Sequence, residues 1–249
     1  MIKAKQVPLD INTIINNYPK NGIELEMLTI LDKSSSTYDY SSIEELNFEL
    51  NLRREIVQSA NDLYKSRMDF AVFRKTKCNE AFWERTEDGG FLLKSDVKPS
   101  DAITDIFKNG QLYATECATA MVIVYYKALL NVMGEATFNR LFKKIHLMNW
   151  HYIDNRLVEI GHMRKVNDYL PGDRRYFANP DVDPETPEWQ GENALNLSEK
   201  LYYGHGIGIK EASAIIESLN SNRKKDATKI AYLMETAARP DFKALFKLI

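Results

Sequence analysis

The most constraining feature of the chain is an apolar stretch, residues 118–126, that directly follows the polar triplet Thr115-Glu116-Cys117. An apolar sequence without a polar face is typical of a helix buried in a protein core. The stretch stops at Lys127, well short of the roughly 20 apolar residues that a spanning helix needs, so we expect no transmembrane segment. We predict that this helix ends at Gly134 and that a second helix covers residues 135–145. Cys117 then lies at a helix N-terminus.

Composition narrows the class of protein. The 249 residues, 44% hydrophobic and 27% charged, are typical of a globular protein of one or two domains. The 33 basic residues nearly balance the 35 acidic ones, so no overall positive field is present and we expect no nucleic-acid partner. The two cysteines are too few for a disulfide scaffold, and the N-terminal segment lacks the apolar core of a secretory signal. We therefore expect a protein that is made and kept inside a cell.

Helical and strand patterns alternate along the rest of the chain. Ser41 and Glu44 form a capping-box pattern before an amphipathic helix that extends to about Ser66, and Pro99 opens another helix that closes at Asn109. The remaining predicted elements are a hairpin of residues 82–86 and 91–94, strands over 68–72, 146–153, 174–180, 193–197 and 201–203, and helices over 210–219 and in 226–249, the last broken at Pro240.

The order of these elements predicts an α+β fold. We find no internal repeat and no linker-like composition that would divide the chain. Residues 1–37 are the least patterned part of the sequence, and we interpret them as an N-terminal extension packed on the core. Residues 38–249 then form a single domain.

Cys117 is the first candidate for chemistry. The positive end of a helix stabilises a thiolate, which is the reactive form of cysteine. A buried core cysteine is the alternative, because free cysteine is among the most buried residue types. Cys78, in the charged turn KTKCNE, has no partner pattern and is interpreted as structural or incidental.

A thiol nucleophile requires a base that takes its proton. His205, between two glycines at a predicted strand end, is the first choice on pattern alone, and His151 is the second. Lone histidines are more often ordinary surface or core residues, which is the alternative for each of them. Glu116 could be a helix-start charge without a catalytic task, and Glu192 could be an ordinary loop carboxylate.

Other patterns indicate no cofactor. The spacing of Gly204, Gly206 and Gly208 does not match a dinucleotide-binding fingerprint. The two cysteines and four histidines have no zinc-site spacing, and no calcium-binding loop is present, so we expect neither a metal nor a cofactor. Trp150 and Trp189 fall at predicted loops or strand ends, where aromatic side chains often line substrate grooves.

Four segments, YATECATA, NWHYIDN, WQGEN and YYGHGIGI, resemble the small, calcium-independent spore-coat transglutaminases of Bacillus-type spore formers. The resemblance covers the chain from about Tyr38 to the C-terminus. It implies a papain-like fold, similar to NlpC/P60 proteins, in which the nucleophilic cysteine begins a helix that packs on a mainly antiparallel sheet. It also implies that no metal or cofactor takes part.

The same resemblance implies roles for individual residues. Cys117 would be the nucleophile, Glu192 the main general base and Glu116 a partly redundant second base, while His205 would support the site. Helix N–H groups would hold the oxyanion. We expect burial to raise the pKa of Glu192 and the helix to lower that of Cys117, because a glutamate otherwise cannot take a proton from a thiol.

The resemblance further implies an aromatic tunnel lined by Phe70, Trp150 and Trp189. The substrates would be proteins, a glutamine donor and a lysine acceptor, joined by an ε-(γ-glutamyl)lysine bond with release of ammonia. The family likeness suggests coat proteins as substrates, with the enzyme made in the mother-cell cytoplasm and deposited on the spore coat. A papain-like cysteine peptidase or amidase, and a structural coat protein without activity, are the alternatives.

Overall fold

The computed structural model describes all residues from Met1 to Ile249. Six α-helices and thirteen strands alternate along the chain. The helices are α1 (Ile23–Lys33), α2 (Ile43–Lys65), α3 (Pro99–Lys108), α4 (Cys117–Leu141), α5 (Ala212–Asn220) and α6 (Phe242–Phe246). The strands are β1 (Ile2–Ala4), β2 (Val7–Pro8), β3 (Tyr38–Tyr40), β4 (Asp69–Phe70), β5 (Trp83–Arg85), β6 (Phe91–Leu93), β7 (Ala114–Thr115), β8 (His146–Leu147), β9 (Arg174–Ala178), β10 (Gly191–Asn196), β11 (Leu201–Gly204), β12 (Gly208–Glu211) and β13 (Tyr232–Leu233).

The main sheet has five strands in the order β12-β11-β10-β9-β13, and every neighbouring pair is antiparallel. Ala194 of β10 pairs with Gly204 of β11, and Glu192 pairs with Phe177 of β9. When this register is extended past Gly204, His205 comes alongside the Glu192 end of β10. The predicted mixed fold with a mainly antiparallel sheet is therefore confirmed in its architecture.

Helix α4 lies at the centre of the core, against α2, α3 and β10. Its residues 118–126 are all buried, as their uniform apolarity predicts. By length and composition α4 could cross a membrane, but 72% of its most apolar segment is buried inside the protein. The core that surrounds it comprises 33 buried residues, so packing within the protein accounts for the apolar sequence.

Gly134 marks the predicted break in α4. Its φ of 74° and ψ of 161° are not helical, and the backbone resumes a helix that ends at Leu141. Positive φ is a conformation that glycine adopts without steric cost, which explains why the break occurs at this residue. The two predicted helices are therefore confirmed as two halves of one element.

A short parallel pairing positions the start of α4. β7 pairs with β4, and Phe70 lies opposite Thr115, two residues before Cys117. The predicted strand after α2 is confirmed at Asp69–Phe70, although it is much shorter than predicted. This pairing brings the Phe70 segment to the N-terminus of α4.

Residues 1–37 fold against the rest of the chain. β1 pairs in parallel with β3, and α1 packs on α2. A second apolar cluster joins both parts: Ile2, Ile14, Met27, Leu28, Leu31, Tyr40, Leu46, Leu50 and Leu170. The division at residue 37 stays a prediction.

Most of the element predictions are confirmed, with small shifts at their ends. The cap of α2 is Ser42, whose hydroxyl accepts from the N–H of Glu45, so the capping pattern lies one residue later than predicted. The hairpin of β5 and β6, the start of α3 at Pro99, and strands β9 to β11 all occur where the sequence predicts them. Helix α5 begins at Ala212 rather than Lys210 because residues 208–211 pair with β11.

Two predictions were wrong. Residues 226–249 do not form a broken helix: β13 extends the main sheet, Ala237 and Ala238 bridge to Arg164 and Arg174, and only the short α6 is helical. Pairing to the sheet has outweighed local helix propensity there. The strand predicted over 146–153 ends at Leu147, because Asn149 adopts a φ of 49° and turns the chain.

Candidate active site

Cys117 is the first residue of α4 and lies partly exposed in a cleft of about 550 Å³. The amide nitrogen Nδ2 of Asn193, on β10, donates to the sulfur at 3.5 Å. The cleft is lined by Phe70, Val72, Phe73, Arg74, Lys75, Glu116, Cys117, Ala118, Asn149, Trp150, Tyr176, Pro187, Glu188, Gln190, Gly191 and Asn193. The predicted position of Cys117 at a helix start is therefore confirmed, and the structure adds a cleft into which the thiol opens.

Glu116 is the N-cap of α4. Its carboxylate accepts from the N–H of Ala118 at 2.5 Å and from that of Thr119 at 2.7 Å, and also from the Thr119 hydroxyl. These two N–H groups are therefore occupied and do not face the cleft as free donors. Of the first-turn helix N–H groups expected to hold an oxyanion, two are therefore engaged by Glu116, and that carboxylate leaves the N–H of Cys117 itself.

Glu192 is a buried carboxyl group, with 5% of its surface exposed. Its Oε1 atom has no hydrogen-bond partner. Burial raises the pKa of Glu192 well above its usual value, and the nearby charge of Glu116 raises it further. The predicted rise in the pKa of this group is confirmed, and a carboxylate with a raised pKa is a better proton acceptor.

The predicted fall in the pKa of Cys117 was wrong. Burial raises the pKa of the thiol, and the negative charges of Glu192 and Glu116 raise it further. The helix end does not offset these effects because the Glu116 carboxylate already occupies it. The thiol is consequently protonated at neutral pH when no substrate is bound. Both carboxyl groups lie near enough to affect its pKa.

His205 is buried and both of its ring nitrogens are engaged. A backbone carbonyl can only accept, so the Nε2–H group donates to the Asp69 carbonyl, with 3.0 Å between nitrogen and oxygen. Nδ1 then accepts a hydrogen bond from the Tyr203 hydroxyl at 3.0 Å. Burial lowers the pKa of His205 to about 4, so the ring is neutral near pH 7. His205 makes no hydrogen bond to Cys117; it connects the end of β11 to β4.

The aromatic residues lie around two neighbouring cavities. Trp150 lines the Cys117 cleft, whereas Trp189 lines a smaller cavity of about 60 Å³ that also contains Glu192 and His205. Phe70, 39% exposed, lines both. The structure therefore gathers all the predicted site residues, with the thiol and the Glu192 carboxyl opening into adjoining cavities that share Phe70.

The other candidates lie elsewhere. His151 is exposed, lines neither cavity and lies near Tyr152. Cys78 is partly buried beside the Trp83 carbonyl, and burial raises its pKa to about 11. The structure therefore gives no reason to assign chemistry to either residue.

Sequence reasoning missed the residues that hold the site together. Asn193 contacts the sulfur, and Arg174 donates to Asn193 Oδ1 at 2.7 Å while its guanidinium lies 4.2 Å from the Trp150 ring centroid. Thr119 links the Glu116 carboxylate to the loop before Trp150 by accepting the N–H of Asn149 at 2.8 Å. Alternation along β9 and β10 could have placed Arg174 and Asn193 on one face, but nothing in the sequence identifies that face.

Comparison with known proteins decides the family. The family model described as protein-glutamine gamma-glutamyltransferase matches residues 1–249, the whole chain. The chain belongs to this family. The predicted transglutaminase family and enzyme class are thereby confirmed.

Individual relatives support the same family assignment. This transglutaminase is 46% identical over 230 residues to a protein-glutamine gamma-glutamyltransferase of Bacillus mycoides strain KBAB4, and 45% identical over the same length to one of Bacillus cereus strain B4264. Both matches span 92% of this chain and 82% of the relative. The chain therefore resembles most of each protein and not an isolated part.

A solved structure supports the fold. A transglutaminase from Geobacillus stearothermophilus, without its C-terminal extension, superposes with a TM-score of 0.76 at 51% sequence identity. The match covers 82% of this chain and 97% of that chain. The papain-like α+β fold predicted for the transglutaminase is thereby confirmed, and its activity implies protein substrates.

Proposed function

We propose that this transglutaminase joins a protein glutamine to a protein lysine through a thioester on Cys117, with Glu192 as the main base. The observation that carries the proposal is the buried Glu192 carboxyl, whose Oε1 is unpaired and whose charge acts on Cys117, while His205 is fully engaged elsewhere. No other group beside the thiol combines a raised pKa with a free acceptor atom. Glu116 is a weaker candidate because its oxygens already accept from the helix.

The first half of the reaction forms the thioester. Glu192 takes the thiol proton, the Cys117 sulfur attacks the carboxamide carbon of the glutamine, and the N–H of Cys117 donates to the developing oxyanion. The proton held by Glu192 passes to the leaving nitrogen. The carbon–nitrogen bond then breaks, ammonia leaves, and the sulfur remains bonded to the acyl carbon.

The second half transfers the acyl group to lysine. A lysine amine is normally protonated, so it reacts only after it loses a proton; in the attack Glu192, aided by Glu116, takes the proton of the attacking nitrogen. The new carbon–nitrogen bond forms as the carbon–sulfur bond breaks. The proton returns to the sulfur, which restores the resting thiol.

Water competes with lysine for the thioester. The cavity beside Glu192 is small and is bounded by Phe70, Trp189 and Ile207, which leaves little room for solvent once an aliphatic lysine stem occupies it. An apolar lining favours such a stem and excludes water. The arrangement supports transfer over simple deamidation.

The cellular setting is part of the proposal. The motifs that resemble spore-coat enzymes, together with the Bacillus and Geobacillus relatives, support coat proteins as substrates and deposition on the spore coat after synthesis in the mother cell. We also propose that the reaction requires no calcium, because the motifs in the sequence resemble those of calcium-independent transglutaminases.

Incorporation of a fluorescent primary amine into casein tests the proposal. The reaction is run with EDTA, with the Cys117→Ala variant as the inactive control and Cys78→Ser as the matched control for loss of an unrelated thiol. We expect incorporation by the parent and by Cys78→Ser and none by Cys117→Ala. Equal incorporation by Cys117→Ala, a calcium requirement, or cleavage of casein in place of labelling would overturn it.

A further inference from the structure

Arg174 is a buried cation without an acidic partner. Only 2% of its surface is exposed, and its hydrogen bonds run to the Ile160 carbonyl at 2.9 Å and to Asn193 Oδ1 at 2.7 Å. The neighbouring carboxylate, Asp173, is paired instead with Arg53 at 2.8 Å and Arg239 at 2.6 Å. A buried charge without a partner is costly, which points to a use for it outside simple packing.

The contacts of Arg174 fix the orientation of Asn193. A guanidinium group can only donate hydrogen bonds, so the Asn193 amide must present Oδ1 to Arg174 and Nδ2 to the Cys117 sulfur. Nδ2 in turn can only donate, so the sulfur must accept. A thiolate accepts a hydrogen bond more strongly than a neutral thiol, and this geometry therefore favours the thiolate.

The charges around the Cys117 sulfur explain why a thiolate there needs a stabilising hydrogen bond and a nearby positive charge. In their ionised forms Glu116 and Glu192 oppose a thiolate, and Tyr176 on β9 adds a hydroxyl without positive charge. The cations on the cleft lining, Arg74 and Lys75, are exposed to solvent, which weakens their effect on the sulfur. Burial lowers the pKa of Arg174 only to about 10, so it remains charged near neutral pH.

We infer that Arg174 is the positioning residue that supplies the counter-charge for the Cys117 thiolate, acting through the amide of Asn193. The inference rests on the proposed function in one respect, namely that Cys117 reacts as a thiolate. The same guanidinium stacks on Trp150, so a single buried cation holds both the thiol's hydrogen-bond donor and one wall of the cleft.

Alkylation of Cys117 by iodoacetamide as a function of pH tests this role without any transglutaminase substrate. The background is Cys78→Ser, which leaves Cys117 as the single thiol. We expect Arg174→Gln to raise the apparent pKa of the thiol and to slow alkylation at pH 7 about tenfold, and Arg174→Lys to recover part of that loss. An unchanged profile in Arg174→Gln would overturn the inference.

A matched control is available on the same strand. Arg175 is also buried, donates to the carbonyls of Met234 and Thr236, and lies against Tyr169 on the opposite face of the sheet. Arg175→Gln removes a buried guanidinium and is expected to lower the melting temperature without moving the alkylation profile. A profile shift equal to that of Arg174→Gln would show a general packing effect and contradict the inference.

Asn193→Ala gives an independent test if the Arg174 variants fail to fold. It removes the amide between the guanidinium and the sulfur, so its profile should shift toward a higher thiol pKa without any change at Arg174. Where Arg174→Gln does fold, adding it to Asn193→Ala should shift the profile little further. An unshifted profile, or two fully additive shifts, would contradict an action through Asn193. Failure of the proposed function gives a different result: no amine incorporation by the parent, whatever the alkylation profiles show.

Discussion

Gly204 lies against the carboxyl group of Glu192 so closely that a Cβ atom on Gly204 would come within 2.9 Å of Oε1 and 3.0 Å of Cγ. The two residues are on neighbouring strands, β11 and β10. The absence of a side chain at residue 204 therefore determines where the proposed base can sit.

Gly204→Ala should lower activity without unfolding the protein. The added methyl group must displace the Glu192 side chain by a few tenths of an ångström, and such a misplacement of a catalytic group commonly costs about tenfold or more in rate. Gly161→Ala is the control, because its Cβ would meet only ordinary contacts of 3.6 and 3.7 Å. Steady-state amine incorporation and thermal melting measure the two effects; full activity in Gly204→Ala would contradict the placement of the base.

Substitution of Glu192 should mainly lower activity, whereas substitution of Glu116 should mainly lower stability. Glu192→Gln removes the proposed base while keeping its size, and we expect a loss of about 10²- to 10⁴-fold in kcat, typical of general-base removal. Glu116→Ala removes the helix cap, and we expect a loss of about 1 kcal/mol in the free energy of unfolding with a smaller loss of activity. Denaturant titration and amine-transfer kinetics on both variants measure this, and a larger kinetic loss in Glu116→Ala would reverse the assignment.

His205 should make stability depend on pH. Burial holds its folded-state pKa near 4, below the value of about 6.5 expected when unfolded, so the unfolded chain binds the proton first as the pH falls. The contribution of His205 to the free energy of unfolding is therefore complete above pH 6.5 and decreases between pH 6.5 and 4. Denaturant unfolding across this range should give a flatter curve for His205→Gln than for the parent; parallel curves would show that the imidazole is not responsible.

Trp150 and Trp189 should determine whether lysine or water attacks the thioester. Trp189→Ala opens the cavity beside Glu192, and Trp150→Ala opens the Cys117 cleft, so both should shift products toward deamidation. The ratio of ammonia released to amine incorporated measures this directly. An unchanged ratio in both variants, with activity retained, would rule out water exclusion by these rings.

The fold was predictable where one local pattern dominated. The uniform apolarity of residues 118–126 predicted a buried helix, and with it the position of Cys117 at the helix start. The segment 226–249 was not predictable, because its conformation depends on pairing of β13 and Ala238 with β9, which lies far away in sequence.

The site was predictable only in part from the residues themselves. Glu192 looks like an ordinary carboxylate in the sequence, and only the family resemblance singled it out. The effect of Glu116 on the thiol was missed because the carboxylate both caps the helix and cancels its positive end, and the sequence suggested only the helix. Arg174 and Asn193 were missed because burial of a charge on a strand depends on which elements cover that face.

Detection of an acyl-enzyme at Cys117 tests most directly whether the reaction passes through a thioester on this residue. The protein is mixed with a glutamine-containing donor peptide in the absence of amine, quenched in acid and analysed by peptide mass spectrometry. We expect an adduct, equal to the donor mass minus ammonia, on the peptide that contains Cys117, and its disappearance when a lysine peptide is added before the quench. An adduct on Cys78 or on a glutamate, or amine transfer with a demonstrably unmodified Cys117, would show that the reaction does not pass through a Cys117 thioester.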